Sequence, residues 1–295
     1  MKLEYTVNEK TRHTNIRQIL KCEFGMSDRL ILKLKRANQI YCNGNVVSVN
    51  SPINSGDKIL ADIAFCEECE NIIPTKMNLE ILYEDEGLLV INKMANTPVH
   101  PSLNHYEDSL SNGVKYYFDK IGLKRKIRPI NRLDKDTSGI VLFAKNEYIQ
   151  ECFVKQMKNN TFTKQYIAVL DGILENKSGT INAPIARKQG SIIERCIAQD
   201  GDTAISHYTV LEELKDCSIV LYNLETGRTH QLRVHSKYIG HPIIGDTLYG
   251  RTSPFISRQA LHAYKIEFIH PITKANLEFI TDIPDDIINL ITQKR

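Results

Sequence analysis

Strand-forming runs outnumber helical ones along most of this chain, and that imbalance limits the fold more than any other feature. "TKQYIAVLDG" (163–172), "SHYTVLEEL" (206–214) and "CSIVLYNLE" (217–225) are rich in β-branched and aromatic residues. "EILYED" and "LLVINK" flank Glu86-Gly87, a hairpin signal. Helical periodicity is sparser. The clearest case is 146–160, where Tyr148, Cys152, Phe153 and Met157 share a face behind Asn146 as a cap. Many strands with a few interspersed helices predict an α+β fold on a mixed, largely antiparallel sheet, not a regular βαβ repeat.

The 295 residues, 42% of them hydrophobic and 25% charged, have the composition of a globular protein with a buried core and room for two domains. The net charge of +3 is unevenly spread: residues 1–60 hold ten Lys/Arg against five Asp/Glu, a net of +5, so the remainder carries −2. Within 14–36, Thr14 or Asn15 caps a first short helix that Gly25 ends, and Ser27 or Asp28 caps a second. Leu30, Ile31 and Leu34 form the apolar stripe of that second helix, with Arg29, Lys33 and Arg36 on a neighbouring face. Turn signals at Asn43-Gly44 and Ser55-Gly56-Asp57 then separate short strands. This pattern resembles the RNA-binding domain named after ribosomal small-subunit protein four, the alpha-L motif. The resemblance implies an RNA-binding domain over 1–65 (core about 14–63), with Arg29, Lys33 and Arg36 towards RNA.

"CEECENIIPTKMN" (66–78) is acidic, contains a proline and has no periodicity, as expected of a linker to a second domain over 79–295. Its Cys66 and Cys69 form one C-x-x-C with no second ligand pair at zinc spacing, so no metal is expected there. Seven scattered cysteines fit reduced thiols, and no run reaches the roughly 18 to 20 apolar residues of a membrane span. A cytoplasmic monomer is the expectation.

"NRLDKDTSG" (131–139) crowds Arg132, Asp134, Lys135 and Asp136 against a small polar turn, directly before the apolar "IVLFA". A carboxylate in such a loop serves as a nucleophile only if it stays ionised when substrate expels water, and an arginine partner does this. Arg132 is a poor candidate for that partner by spacing alone, since it can equally swing outward to a phosphate, and a second arginine, Arg228, is available in "LETGRTHQLRVHSKYIGHPIIGDTLYG". Thr229 is expected to cap a helix that runs to Tyr238-Ile239 and stops at Gly240. His230 and His235 are five apart and do not share a helical face, so these histidines read as structural or RNA-contacting groups and not as metal ligands. Tyr166 reads either as a core residue or as a platform on which a base stacks.

"ILYEDEGLLVINK", "NRLDKDTSG", "KQYIAVLDG", "TGRTHQLRVH", "GHPIIGDTLYG" and "RQALHAYKIEFIHP" occur in this order. Together they resemble the RluA family of RNA pseudouridine synthases across about 79–283. The resemblance implies a cofactor-free isomerisation of uridine in structured RNA, ribosomal or transfer, with large-subunit ribosomal RNA favoured by the N-terminal domain. By motif position Asp134 is the catalytic aspartate, Tyr166 the stacking and proton-handling residue, and Arg228 the partner of Asp134. Arg132 helps to extrude the base, and Leu261 or Leu232 forms an apolar wall. Two departures stand out: Asn131 where the family usually has His, and "KMANTPVHP" where Pro and Gly are usual.

The residues admit two rival readings. Asp134-Lys135-Asp136-Thr137 fits the D-x-D-x-T of haloacid-dehalogenase phosphatases, but that motif follows an apolar strand, and here the apolar run comes after. A non-catalytic RNA-binding or ribosome-assembly protein is the second, against which Asp134, Tyr166 and Arg228 together speak.

Overall fold

Residues 138–144, "SGIVLFA", are buried at every position, which requires cover on both faces of the strand they form. The computed structural model describes residues 1–67, 69 and 71–295 and shows what supplies that cover. In chain order, β1 (Lys2–Thr6), a helical turn α1 (Ile16–Gln18), a π-helical stretch (Ile19–Glu23), α2 (Asp28–Arg36), β2 (Ile40–Cys42), β3 (Asn45–Val46) and β4 (Lys58–Asp62) build an N-terminal module. Its antiparallel sheet has the order β1-β4-β2-β3. Asn15 caps α1 by accepting from the Gln18 N–H, and Ser27 caps α2 by accepting from Leu30. The expected core of 14–63 omitted a strand: Lys2–Thr6 pairs along β4, with Lys2 opposite Asp62 and Thr6 opposite Lys58.

The second part contains β5 (Glu80–Glu84), β6 (Leu88–Lys93), α3 (Leu110–Lys120), β7 (Arg128–Pro129), β8 (Ser138–Ala144), α4 (Glu147–Lys158) and β9 (Thr163–Asp171). It continues with β10 (Ser178–Asn182), β11 (Ile185–Arg187), β12 (Arg195–Ile197), β13 (Ile205–Glu213), β14 (Cys217–Leu224), α5 (Gln231–Tyr238), β15 (Leu261–Ile269), β16 (Asn276–Ile280) and α6 (Asp285–Lys294). The large sheet runs β10-β13-β14-β9-β15-β8-β6-β5, with β16 added to β15 and β7 to β8. Among the described residues β8 and β15 are its one parallel pair. This is the α+β, largely antiparallel architecture expected. No helix among the described residues is long and apolar enough to cross a membrane.

Alternate residues of β8 serve two cores. Val141 and Phe143 join Val114 and Phe118 of α3 and Ile287 and Leu290 of α6. Ile140, Leu142 and Ala144 join Tyr148, Ile149 and Phe153 of α4, and this same cluster continues into Ile16, Ile19, Leu30 and Leu34 of the N-terminal module. The module is therefore packed on the rear of the large sheet. Segment 66–78 forms no helix or strand among its described residues, yet it is no free tether. Ile72 and Met77 pack on the front core, and Asn112 Nδ2 donates to the Ile73 carbonyl at 2.8 Å.

An ion-pair cluster reinforces this contact and corrects one expectation. Lys33 of α2 does not face free solvent: its ammonium lies 2.5 Å from Glu67 Oε1 and 2.8 Å from Glu147 Oε2. Arg128 reaches Glu67 at 2.7 Å and Arg29 reaches Glu147 at 2.8 Å, while Arg36 stays exposed. Burial pushes the Glu67 carboxyl up, but Arg128 and Lys33 outweigh it and hold the carboxyl below its usual range. Glu67→Ala removes the 2.7 Å carboxylate partner of buried Arg128, leaving it only Glu147 at 4.0 Å and the Lys126 carbonyl at 3.2 Å, and should cost about 3 kcal/mol in urea unfolding. Glu67→Ala/Arg128→Met should recover part of that loss. Because the folded pKa is depressed, the Glu67 contribution is present above the unfolded value near ~4.3 and is lost as pH falls through the lower folded value.

Candidate active site

The crowded loop is held by its backbone, which leaves the Asp134 side chain facing a cleft. Lys93, almost fully buried, donates to the carbonyls of Lys135 (2.9 Å), Met94 (2.9 Å) and Thr97 (2.8 Å). Burial pushes its pKa down to about 7, whereas Asp136 and Asp134 oppose the shift and three acceptors match the three N–H bonds of its charged form. Arg258, anchored on Asp286, donates to the Asp136 carbonyl at 3.1 Å. The turn closes where the Thr137 N–H donates to the Asp134 carbonyl at 3.1 Å.

The remaining letters of the motif have separate causes. Ser138 Oγ lies 2.9 Å from His262 Nδ1, and His262 Nε2 lies 2.9 Å from Thr281 Oγ1. Burial, then Arg258, takes the His262 pKa down to about 4, so it is a neutral link in the core. Gly139 has φ +113°, and a Cβ there would stand 2.2 Å from the Ala263 carbonyl oxygen of the parallel strand. Gly139→Ala should therefore lose at least about 3 kcal/mol of stability, read as a fall in Tm or as insoluble expression. Asn131 is buried and bridges the Ile140 carbonyl and the Leu142 N–H, both at 2.9 Å, so it fixes the loop to β8.

The partner of Asp134 is Arg233, not Arg228. Arg233 Nη1 donates to Asp134 Oδ2 at 3.0 Å, while Nε and Nη2 fork onto Asp246 at 2.7 and 2.9 Å. The guanidinium also lies 5.1 Å from the Tyr249 ring centroid. Burial pushes the Asp246 carboxyl up, but the Arg233 hydrogen bonds and charge, with the N–H groups of Tyr249 and Leu248, hold it below its ordinary value. Arg228 instead projects outward, donating Nε to the Thr203 carbonyl at 3.0 Å and lying 3.8 Å from Asp202. The reason is where the helix starts. Thr229 is exposed and caps nothing; α5 begins at Gln231 after His230 in a left-handed conformation (φ 56°), and Gln231 Oε1 accepts from the Arg228 N–H at 2.9 Å. That start aims the third helical residue, Arg233, into the cleft.

His230 completes the electrostatics. Its Nδ1 is 2.8 Å from the Tyr249 hydroxyl, which accepts from the Arg195 N–H at 2.8 Å. The Tyr249 proton is then free for Nδ1, which leaves the imidazole proton on Nε2, 4.0 Å from Asp134 Oδ1. Burial, then Arg233 and Arg195, lowers the His230 pKa against the pull of Asp134, so the ring is neutral near pH 7.

Opposite the carboxylate stands Tyr166, in mid-sheet between Tyr222 and Ala263. Burial, then the Asp134 charge, raises its pKa and keeps it a phenol. Leu133, Leu224, Leu232 and Leu261 supply apolar wall, and Arg132 and Arg228 stand at the rim. Asp134, Tyr166, Arg132, Arg228 and Leu261 thus line one cleft. Arg29, Lys33 and Arg36 line a separate groove with Lys126 and Arg128. Arg233, Asp246 and Tyr249 were not singled out from sequence, although "TGRTHQLRVH" and "GDTLYG" contain them, and His230 was read there only as a structural or RNA-contacting histidine. His235 is an internal link, bonded to Ser206 Oγ and the Ala183 carbonyl, and no metal-ligand cluster occurs among the described residues.

A carboxylate locked by an arginine thus faces a tyrosine and an aliphatic wall across one cleft. Residues 87–238 match the RNA pseudouridylate synthase family. The chain is 39% identical to the uncharacterized RNA pseudouridine synthase YjbO of Bacillus subtilis (strain 168), over 91% of this chain and 95% of that protein. It is 36% identical to ribosomal large subunit pseudouridine synthase D of Blochmanniella floridana, over 75% of this chain and 74% of the relative. The solved structure of human RNA pseudouridylate synthase domain containing 1 aligns with a TM-score of 0.57 at 29% identity, covering 70% of this chain and 83% of that one. The chain belongs to the RNA pseudouridylate synthase family, whose enzymes are isomerases.

Proposed function

We propose that this enzyme converts uridine to pseudouridine in large-subunit ribosomal RNA, with Asp134 as its catalytic carboxylate. The target is supported by relatives named ribosomal large subunit pseudouridine synthase D. The observation that carries the site assignment is Asp134 held at 3.0 Å by an arginine that is itself locked on buried Asp246. A uridine must leave its stack to reach this cleft, at a cost of a few kcal/mol. Tyr166 and the leucine wall then receive the base, and Arg132 at the rim fills or guides the gap it leaves.

In the reaction the bond from C1′ to N1 breaks, the uracil turns, a bond from C1′ to C5 forms, the proton on C5 departs, and N1, freed from the sugar, takes one up. Asp134 serves as nucleophile or base at this centre while the Arg233 guanidinium, at 3.0 Å, orients it as water is expelled. Tyr166, held as a phenol, stacks and donates a proton, and it does not start as a phenolate base. The N-terminal module, read as an alpha-L domain over residues 1–65, offers Arg36 and the exposed edge of Arg29 to RNA. Tritium release from RNA labelled at C5 of uridine is the test. Wild-type protein should release it from a large-subunit transcript or a partly assembled particle with chelator present. Release from transfer RNA alone would reassign the target, and release from no RNA would sink the activity.

A further inference from the structure

We infer that the hairpin of β11 and β12, with the loop before α5, forms a phosphate-binding cleft for the RNA strand that flanks the target uridine; this rests on the RNA reading above. A cavity of about 450 Å³ adjoins the catalytic cleft and shares Arg132, Gly227 and Arg228 with it. Arg187 and Arg195 line its other side and stand directly opposite each other in the hairpin register. Like charges across a strand pair repel, and no carboxylate among the described residues comes within ion-pair distance of either arginine, or of Arg132, to offset this. The neighbouring Glu194 is engaged by Lys188 at 2.8 Å. A hairpin that keeps two opposed, unpaired guanidinium groups in a cleft is arranged for an anion from outside.

A second observation points the same way. Lys164, only 9% exposed, has no hydrogen-bond or ion-pair partner among the described residues, and burial lowers its pKa. Its ammonium lies 3.5 Å from where a Cβ on Gly227 would stand, beneath the wall the two cavities share. Arg132 and Arg228 at the shared wall, with Arg187 and Arg195 beyond it, thus set four guanidinium groups along one cleft, which suits a polyanionic strand more than a single carboxylate. Asp200 and Asp202 also line the cavity, and Asp202 must release Arg228, now 3.8 Å away, as a phosphate arrives.

The test uses full-length protein and a fluorescent stem-loop transcript of large-subunit ribosomal RNA. Arg187→Ala/Arg195→Ala should raise Kd at least about tenfold at 100 mM salt and flatten the slope of log Kd against log salt by about 1.4 to 1.8, the loss of two phosphate contacts. Its Tm should equal or exceed that of wild type, since a repulsive pair has gone. Asp202→Asn should bind severalfold more tightly. An unchanged slope, or an affinity loss that tracks a falling Tm, overturns the cleft. Tritium release separates the two claims: release by wild type with an unaltered slope in the double variant sinks the cleft alone. No release, with the slope still flattened by the double variant, sinks the isomerase reading and leaves the cleft.

Discussion

Asp134→Asn should bind RNA as wild type does and lose about a thousand-fold or more of single-turnover tritium release. The two halves of that result come from different parts of the geometry. The asparagine keeps an oxygen that accepts from Arg233 Nη1, and Arg233 keeps both of its bonds to Asp246. The loop backbone stays fixed by Lys93 and Arg258. Stability should therefore move by no more than about 1 kcal/mol. What disappears is the negative charge, without which the side chain is neither nucleophile nor base. A protein that only bound RNA would show no such separation. Comparable release by Asp134→Asn and wild type would remove Asp134 from the chemistry whatever its place in the cleft.

Local signals were legible in the sequence because local bonds create them. Asn15, Ser27 and Asn146 cap their helices through hydrogen bonds that span three residues. The continuous apolar run "IVLFA" after the charged loop is likewise local, and it lies in β8, which is buried at every position. Contacts between distant residues were not legible. Lys33 looked like an RNA contact because Glu67 and Glu147, its partners, lie 34 and 114 residues away. The strand Lys2–Thr6 gained its meaning only from β4. Arg228 and Arg233 were a matter of phase: moving a helix start by one residue turns every side chain by about 100°. His230 sets that start through a left-handed backbone, which neither its own identity nor the threonine before it reveals.

Arg233 is accordingly the residue whose loss should be felt twice. Arg233→Ala leaves Asp246, which is fully buried, without its counter-charge and should cost about 3 to 5 kcal/mol in urea unfolding. It should also reduce single-turnover release at least about a hundred-fold, because Asp134 loses the guanidinium that orients it in the cleft. Arg233→Lys should recover little of either, since one ammonium cannot fork onto Asp246 and reach Asp134 together. The pH dependence supplies a third reading. In wild type the depressed Asp246 pKa contributes stability above the unfolded value near ~3.9, and this is lost as pH falls through the lower folded value. In Arg233→Ala, burial without the guanidinium raises that carboxyl, so the folded variant takes up a proton before the unfolded chain does. The stability gap between the two proteins should narrow as pH drops from about 7 towards 4. Arg228→Ala should behave differently on every count, with wild-type stability, weaker RNA binding and an unchanged rate once RNA is bound. If instead Arg228→Ala abolished release from bound RNA while Arg233→Ala spared it, the charge relay from Asp246 through Arg233 to Asp134 would not be what sustains the reaction.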